Sequence, residues 1–403
     1  MMYQVRDGVK IWGEPDESSV LQAVRCRRVG DVAAVALMAD HHKGYSQPIG
    51  GVVAYRGQIS PSGVGYDIAC GNKAVRTDLK VAAIRRDLPK IMDAIFAQVS
   101  FGIGRKNKRP VDHVLFDDPT WRDLPEVGAL KDLAYAQLGT VGAGNHFVDL
   151  FEEEATGMLW VGVHFGSRGF GHKTATGFLN LAHGRPFDAK APGESMDQDP
   201  TVIPLHTSLG QAYLAAMQLA GRYAYAGRDL VVEQVLRILG ARATFTVHNH
   251  HNFAWVEQHG GEELVVVRKG ATPLAPGQLG FGGGSMADIS VVIRGRETDE
   301  ARAALFSTVH GAGRIMSRTE AAGKMNWKKG TRTGGKISHA QMMDAVRRFG
   351  VELRGAGTDE SPFVYRRLAQ VLDAHRETLE VLHLLRPIGV AMAGEHEVDP
   401  YKD

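Results

Sequence analysis

Short apolar runs alternate with longer amphipathic stretches throughout the chain. The short runs predict buried strands at Val32–Met38, Val161–His164, Thr244–His248, Leu264–Val267 and Ile289–Ile293. The amphipathic stretches predict helices at Ile84–Val99, Leu209–Leu239, Thr298–Phe306 and Phe363–Leu385, with Gly240 ending the second. Since no repeat and no linker rich in Pro, Ser or Gly divides the chain, we expect a mixed α+β fold in one domain over residues 1–403.

The charge balance is nearly neutral, with 47 basic and 45 acidic residues and a formal net charge of +2. Net charge therefore does not indicate a nucleic-acid binder, and a site for a polyanion has to be a local patch. The only two cysteines, Cys26 and Cys70, favour a reducing compartment over a disulfide framework. The first residues lack the apolar core of a signal peptide, and no run approaches the roughly 20 apolar residues of a membrane span. We expect a cytoplasmic protein without membrane contact.

Glycines are numerous and clustered. The chain has 48, many of them in the segments PIGGVV, SGVGYDIACGN, LGTVGAGNH, HFGSRGFGH, LGFGGGSM, HGAGR and RTGGK. Glycine lets a backbone adopt positive φ or approach a ligand closely. Side chains with metal- or phosphate-binding chemistry stand beside several of these clusters, which indicates loops that converge on one polar site. A loop-rich protein without such a site is the alternative.

One group of these side chains has the chemistry of metal ligands. Asp67 and Cys70 lie three residues apart between glycines, and can turn towards one point if the chain bends. Further histidines stand beside glycines or at strand ends: His146, His164, His248, His250 and His251. A thiolate, a carboxylate and several imidazoles can hold two ions with the sulfur as a bridge, and paired ions suit in-line displacement at phosphorus. The spacing leaves zinc and manganese open, and each histidine alone is also compatible with a structural role.

A second group has the chemistry of phosphate transfer. His310 opens the segment HGAGR after the predicted helix, and the small residues beside it leave the imidazole open to a phosphate. Imidazole can act as a covalent nucleophile at phosphorus, with Arg314 and Arg318 near enough in sequence to steer the anion. The segment FGGGSM, followed by Ser290, offers amides and hydroxyls to a phosphate or a purine. A chance histidine and a flexible turn are the alternatives.

Basic side chains are concentrated between Lys324 and Lys336, a segment with five Lys or Arg residues, no acidic residue, and Trp327. This composition suits neutralisation of a nucleic-acid backbone together with base stacking, although a solvated basic loop has the same composition. Candidate phosphate contacts elsewhere in the chain are Arg168, His172, Arg268 and Lys269.

In their order along the chain, these segments resemble the RtcB family of RNA-splicing ligases, from Asp40–Gly44 to Arg386–Val390. The most specific stretches are SGVGYDIACG, LGTVGAGNHF, VGVHFGSRGFGH, HHN, RKGATPL, GSM and VHGAGRIMSR. The resemblance implies an RtcB-like single domain with mixed sheets and a central cleft for metal and nucleotide. It implies GTP- and Mn²⁺-dependent joining of RNA 3′-phosphate or 2′,3′-cyclic phosphate ends to 5′-hydroxyl ends, in RNA repair or tRNA splicing. It also raises an archease-type activator as a partner.

Carried over residue by residue, the resemblance assigns two Mn²⁺ ions to Asp67, Cys70, His146, His164 and His251, with Cys70 bridging. It assigns the guanylate pocket to Asn145, Phe147, Asp149, Ser285, Ser290, Ala312, Gly313 and Tyr365. His310 would be the catalytic residue that takes guanylate from GTP and passes it to an RNA 3′-phosphate, which the 5′-hydroxyl then attacks. His251 is preferred to His250 because Asn252 follows it, as in the family.

Three departures from the family pattern leave the substrate open. Family members usually end in a short Val-Lys-Gly tail whose lysine meets the guanine, whereas Met392 or Ala393 stands near that place here and the chain continues. Asp149 replaces a usual glutamate, and DHHKGYSQPIGG varies the family's Asp-x-His-x-Gly segment. A divergent paralog with weaker guanine selectivity, or with DNA ends as substrate, is compatible with these changes. A dinuclear-metal phosphoesterase, guanylate capping of 3′-phosphates without ligation, and a non-catalytic RNA-end binder are the alternatives.

Overall fold

The computed structural model describes residues 2–107, 110–190, 195–326 and 331–394. Numbered in chain order, the strands are β1 (Tyr3–Arg6), β2 (Val9–Trp12), β3 (Val32–His42), β4 (Ile49–Tyr55), β5 (Gln58–Ile59), β6 (Gly71–Lys80), β7 (Phe147–Glu153), β8 (Met158–Phe165), β9 (Ile203–Pro204), β10 (Ala243–His250), β11 (Asn252–His259), β12 (Glu262–Lys269), β13 (Ala271–Pro273), β14 (Leu279–Gly282), β15 (Ser290–Gly295), β16 (Ser307–Val309), β17 (Lys324–Asn326), β18 (Thr331–Thr333), β19 (Glu352–Ala356) and β20 (Leu379–Gly394). The α-helices are α1 (Glu17–Arg27), α2 (Pro61–Val64), α3 (Val81–Ile84), α4 (Leu88–Gln98), α5 (Thr120–Asp123), α6 (Pro125–Gly128), α7 (Lys131–Gln137), α8 (Arg168–Ala182), α9 (Ser208–Leu239), α10 (Asp299–Ala303), α11 (Arg318–Ala322), α12 (His339–Phe349) and α13 (Leu368–Asp373). Short 3-10 turns lie at Val114–Asp117, Thr358–Glu360 and Pro362–Val364. In these ranges no helix combines the length and the apolar character needed to pass through a bilayer.

Two large sheets organise the fold. The first has six strands in the order β1-β2-β3-β4-β12-β11, with β2 parallel to β3 and the other neighbours antiparallel. The second has the order β10-β6-β8-β7-β20-β15-β14, and β19 joins it as a parallel neighbour of β20. The predicted α+β class with mixed sheets is thereby confirmed.

The second sheet curls until its edge strands meet. Asn249 on β10 and Asn72 on β6 donate side-chain hydrogen bonds to carbonyl oxygens of β14, at 2.9 and 3.4 Å. Apolar side chains fill the inside of the curl: Ala74, Phe151, Trp160, Val247, Phe281, Val292 and Leu385. The register pairs Gly71 with both His250 and Phe165, so β6 begins where β8 and β10 end. We call this curled second sheet the near-barrel. The start of β6 and the ends of β8 and β10 therefore lie together at one rim of the near-barrel.

Helix α9 has 32 residues, which corresponds to a length of about 48 Å, and it packs on both large sheets. Tyr213 and Ala220 belong to the core beneath the first sheet, whereas Val231 and Val235 belong to the core beneath the second. The helix ends as predicted at Gly240, which has a left-handed φ of 63°. Arg228 lies between the two halves and is fully buried.

The predicted strands are present in β3, β8, β10, β12 and β15, and α9 confirms the predicted helix Leu209–Leu239. The helix predicted at Ile84–Val99 is divided between α3 and α4. The helix predicted at Phe363–Leu385 is wrong beyond α13, because Leu379–Leu385 form the first part of β20 and pair with β15. Sheet pairing overrides the helical apolar pattern there.

The helix predicted at Thr298–Phe306 is shorter than expected, since α10 ends at Ala303. Leu305 and Phe306 have left-handed φ values of 53° and 45°, a conformation that a helix of L-residues cannot continue. The chain then enters β16, which pairs with β13. His310 therefore stands at the end of a short strand and not behind a helix.

Candidate active site

The glycine-rich loops converge on one cavity of about 310 Å³. Both large sheets contribute to its walls, the first through Ile49 and Lys269 and the second through Asn72 and Phe147. The loops of residues 283–286 and 310–314 close the remaining sides. The resemblance implies a central cleft for metal and nucleotide, and this cavity is the candidate for it.

A tight turn before β6 brings Asp67 and Cys70 together. The amide of Cys70 donates to the carbonyl oxygen of Asp67 at 3.1 Å, and Ala69 between them has a left-handed φ of 59°. This conformation is uncommon for a residue with a Cβ, and such strain persists only where the surrounding structure holds it. The bend that these two side chains need in order to share one site is therefore present.

Two imidazoles form a compact group with the thiol of Cys70. His146 Nε2 lies 3.7 Å and His164 Nε2 lies 3.4 Å from the sulfur, and the three atoms are within 4.8 Å of one another. Asp67 Oδ2 lies 3.0 Å from His146 Nε2. The ring of His251 stacks on that of His164 at a centroid distance of 5.0 Å. The fold thus brings all five sequence-predicted metal ligands together.

The contacts behind these rings fit a bound cation. His146 Nδ1 lies 2.9 Å from the carbonyl oxygen of Val141, and His164 Nδ1 lies 2.7 Å from Asn72 Oδ1. These acceptors hold the proton on Nδ1, so each Nε2 turns a lone pair towards the thiol or the carboxylate. The 3.0 Å distance between His146 Nε2 and Asp67 Oδ2 is accounted for by a shared proton or by a bound cation between them. Imidazole, thiolate and carboxylate together suit a divalent transition metal.

Burial sets the protonation states in this group. It lowers the pKa of His164 and His251 well below the usual value, so both are neutral, as metal ligands have to be. Burial alone would raise the pKa of Asp67, but contacts with His146 and the charge of Arg168 lower it to about 2. Burial, followed by the Asp67 carboxylate, raises the pKa of the Cys70 thiol. A thiolate at Cys70 therefore requires a nearby cation.

His310 lies against these groups and is held by a buried carboxylate. Its ring centroid is 5.0 Å from that of His251, and its Nδ1 lies 2.7 Å from Oδ2 of Asp40 on β3. The same oxygen accepts the amides of His310 and Gly311, at 3.0 and 3.3 Å. Burial alone would raise the pKa of Asp40, but His310 and the Gly311 amide bring it below its usual value. A carboxylate this close to Nδ1 favours a proton on that nitrogen, which would leave the Nε2 lone pair available as a nucleophile.

Most residues predicted to form a guanylate pocket line the cavity: Asn145, Phe147, Asp149, Ser285, Ala312, Gly313 and Tyr365. Ser290 is the exception, because its hydroxyl accepts the amide of Gly284 at 3.0 Å and shapes the glycine loop from behind. Burial raises the pKa of Asp149 well above its usual value, and its Oδ1 has no hydrogen-bond partner among the described residues. A ligand that donates a hydrogen bond would satisfy this oxygen.

Acidic residues that the sequence did not single out lie behind Tyr365. Arg314 donates to the Tyr365 hydroxyl at 3.2 Å, and that hydroxyl hydrogen bonds with Glu360. Arg318 pairs with Glu360 at 3.0 Å and with Asp359 at 3.7 Å. Both arginines line the cavity, as predicted for residues that steer phosphate, but buried acids compensate part of their charge.

Of the other predicted phosphate contacts, Arg168 and Lys269 lie at the site. Arg168 has a left-handed φ of 58° and its guanidinium contacts His146 Nδ1 at 3.4 Å. Lys269 lines the cavity and donates to the carbonyl oxygen of Tyr45 at 2.5 Å. His172 does not line the cavity but packs its ring on Tyr66, at a centroid distance of 5.2 Å.

The prediction for Arg268 is wrong. Its side chain is fully buried and makes two hydrogen bonds to the carboxylate of Glu257, at 2.6 and 3.0 Å, so it cannot reach a phosphate. Met392 lines the cavity on β20, near the place that the resemblance gives to the family lysine. Residues 327–330 of the basic segment, with Trp327, and residues 395–403 of the tail lie outside the described ranges.

Comparison with known proteins gives matches to one family. The family model described as tRNA-splicing ligase RtcB matches residues 22–393. The RNA-splicing ligase RtcB of Escherichia coli K12 is 30% identical over 387 residues, which cover 88% of each chain. The tRNA-splicing ligase RtcB of Archaeoglobus fulgidus is 30% identical over 459 residues, covering 93% of this chain and 91% of the relative. That of Thermococcus kodakarensis is 30% identical over 430 residues, covering 88% and 86%.

Proposed function

Since the chain belongs to the RtcB family, we propose that it joins RNA 3′-phosphate or 2′,3′-cyclic phosphate ends to 5′-hydroxyl ends, with GTP as guanylate donor. One observation carries this proposal. His310 has its Nδ1 held 2.7 Å from Asp40, while its ring lies 5.0 Å from the candidate metal ligand His251. A nucleophile for phosphorus and a binding set for cations thus share one cavity. RNA repair or tRNA splicing is the setting that we propose for the reaction.

Three transfers at phosphorus follow from this arrangement. In the first, His310 Nε2 attacks the α-phosphorus of GTP, a P–N bond forms, and pyrophosphate leaves. Asp40 keeps the other ring proton on Nδ1 and stabilises the positive charge that the ring gains. An end with a 2′,3′-cyclic phosphate would first have to be hydrolysed by water to a 3′-phosphate. In the second transfer, an oxygen of the RNA 3′-phosphate attacks the guanylyl phosphorus and the P–N bond breaks. In the third, the 5′-hydroxyl attacks the activated 3′-phosphorus and gives up its proton, and GMP leaves.

Two manganese ions would be held by Asp67, Cys70, His146, His164 and His251, with Cys70 shared. When bound, such ions neutralise charge on phosphoryl oxygens and orient the phosphorus for in-line attack. The support for this set is the mutual distance of the donor atoms of Cys70, His146 and His164, together with the contact of His146 with Asp67 and the stacking of His251 on His164. Arg168, in contact with His146, would add charge beside the incoming phosphate.

Asp149 is the residue that we propose reads the nucleotide base. Its unpartnered Oδ1 and the apolar side chains of Val390 and Met392 belong to the same cavity. Guanine presents two adjacent N–H donors to such a carboxyl group, whereas adenine presents an acceptor at the corresponding ring nitrogen.

We expect Asp149→Ala to raise the GTP concentration for half-maximal labelling of His310 by roughly 10- to 100-fold, because a buried N–H donor left without its acceptor costs about 1–3 kcal/mol. The rate at saturating GTP should change much less. The measurement is the initial rate of guanylylation against GTP and ATP concentration, with Asp149→Asn as the variant of matched size. An unchanged preference for GTP over ATP in both variants would show that Asp149 does not read the base.

The function is tested with the full-length protein, α-labelled GTP and Mn²⁺, followed by RNAs with 3′-phosphate and 5′-hydroxyl ends. We expect an acid-labile, hydroxylamine-insensitive label on the protein and joined RNA, with both lost on chelation. Absence of the label would rule out nucleotide transfer. Release of phosphate from RNA ends without GTP would indicate a phosphoesterase, and guanylylated 3′ ends that never join would indicate capping. A parallel reaction with DNA that has 3′-phosphate and 5′-hydroxyl ends tests whether the substrate is DNA instead of RNA.

A further inference from the structure

Arg228 is a fully buried cation in the middle of α9, and the proposed reaction makes no use of it. Burying a charge is unfavourable unless partners compensate for it. No carboxylate of the described residues forms an ion pair with its guanidinium. Burial lowers the pKa of Arg228 to about 10, which still leaves it protonated at neutral pH. An apolar residue would fill this place in the helix with less unfavourable desolvation, so the arginine needs another explanation.

The guanidinium lies over the ring of Tyr225 at 5.1 Å and makes four hydrogen-bond contacts, each to a different residue. Nη1 donates to the carbonyl oxygens of Ala69 and Phe165, at 3.0 and 2.6 Å. Nη2 lies 3.0 Å from His250 Nδ1, and Nε donates to His248 Nε2 at 2.9 Å. The planar fork of arginine can reach several acceptors at once, which the single ammonium group of lysine cannot do.

Three of these partners are chain neighbours of candidate metal ligands. Ala69 precedes Cys70, Phe165 follows His164, and His250 precedes His251. The three ligand-bearing segments lie on β8, at the end of β10 and in the turn before β6, so one side chain contacts all of them.

We propose that Arg228 is a positioning residue for the metal centre, which sets the separation of Cys70, His164 and His251 by fixing the backbone beside each of them. This inference rests on the proposed function only in taking these three residues as metal ligands. Ala69 illustrates the effect, because its left-handed φ is strained and its carbonyl oxygen is held directly by the guanidinium.

The test compares Arg228→Lys with Arg268→Lys. Arg268 is the matched control, since it is also fully buried and multiply hydrogen bonded, but to Glu257, Ser307 and Leu305 rather than to ligand-bearing segments. Affinities for Mn²⁺ and Co²⁺ are measured by titration without nucleotide, and the absorption of the Co²⁺ form reports sulfur coordination. We expect Arg228→Lys to weaken metal binding roughly 10- to 100-fold and to change the Co²⁺ spectrum, as loss of outer contacts to ligands does. Arg268→Lys should keep the wild-type affinity and spectrum at a comparable loss of thermal stability.

The dependence of the guanylylation rate on Mn²⁺ concentration gives a second measurement. Guanylylation by Arg228→Lys should require more Mn²⁺ for half-maximal rate and recover most of its rate when Mn²⁺ is saturating. Wild-type metal affinity in Arg228→Lys, or an equal loss in both variants, would overturn the positioning role. Should Arg228→Lys not fold, His250→Phe removes one acceptor while keeping the aromatic packing on Tyr225 and Phe253, and unchanged metal affinity there would overturn it as well.

The outcome for Arg228 is separable from that for the ligase activity. If Arg228→Lys loses metal binding and the wild-type protein takes up no guanylate, the positioning role is supported and the proposed function is ruled out. If the wild-type protein is an active ligase and Arg228→Lys binds metal as tightly as the wild type, the proposed function is supported and the positioning role is ruled out.

Discussion

His310→Gln is expected to take up no guanylate from GTP and to join no RNA ends, while binding Mn²⁺ as tightly as the wild-type protein. Glutamine offers a side chain of similar length, but its amide nitrogen has no lone pair available for attack on phosphorus. Removing a covalent nucleophile lowers turnover by roughly 10⁶-fold in comparable enzymes, so activity should fall below detection. Labelling with α-labelled GTP, together with a Mn²⁺ titration of the same preparation, measures both properties.

A preformed substrate separates the steps. RNA whose 3′-phosphate already carries guanylate needs only the attack of the 5′-hydroxyl, so His310→Gln should still seal it with Mn²⁺. Guanylylation of the variant by GTP, or sealing of unmodified ends with GTP, would contradict a covalent intermediate on His310.

Asp40→Ala is expected to slow guanylylation by roughly 10⁴-fold, the order of loss found when the carboxylate behind a catalytic imidazole is replaced. Without Oδ2, the ring of His310 loses both its fixed orientation and the negative charge that stabilises it when the P–N bond forms. The amides of His310 and Gly311 also lose their acceptor, so the thermal stability of the variant is measured alongside the single-turnover rate.

Asp40→Asn separates orientation from charge. Its carbonyl oxygen can occupy the place of Oδ2 and still accept from Nδ1, so we expect a smaller loss, about 10- to 100-fold. Equal rates for Asp40→Ala and the wild type would show that the contact is incidental. Equal losses in the two variants would assign the whole effect to charge.

The sequence was informative where residue type and glycine context coincide. Cys70, His146 and His164 have metal-binding side chains and stand beside glycine clusters, and the fold brings their ligand atoms within 4.8 Å of one another. The prediction for Arg268 failed because an arginine before a glycine looks the same whether it faces a phosphate or a buried carboxylate.

Asp40 and Arg228 were not predicted as parts of the site, because their roles depend on partners far away in the chain. Asp40 meets His310, and Arg228 meets three separate segments, which no local pattern reveals. A weak signal existed for Arg228: buried apolar residues stand four before it and three and four after it, so a charge interrupts an apolar helix face. The first part of β20 was wrongly predicted as helix for a related reason. Its leucines fit a helical pattern equally well, and only the pairing with β15, far away in sequence, makes them a strand.

The candidate metal ligands at the rim of the near-barrel extend in sequence from Asp67 to His251. The contact of Asp40 with His310 widens the stretch of sequence that forms the site. A nascent polypeptide still on the ribosome therefore has no complete set of ligands until well over half of it has been made. Contacts so distant in sequence also form late and slowly in folding. We expect metal ions to be acquired only once the chain beyond His251 has been made, and fragments that end before His251 to lack catalytic activity.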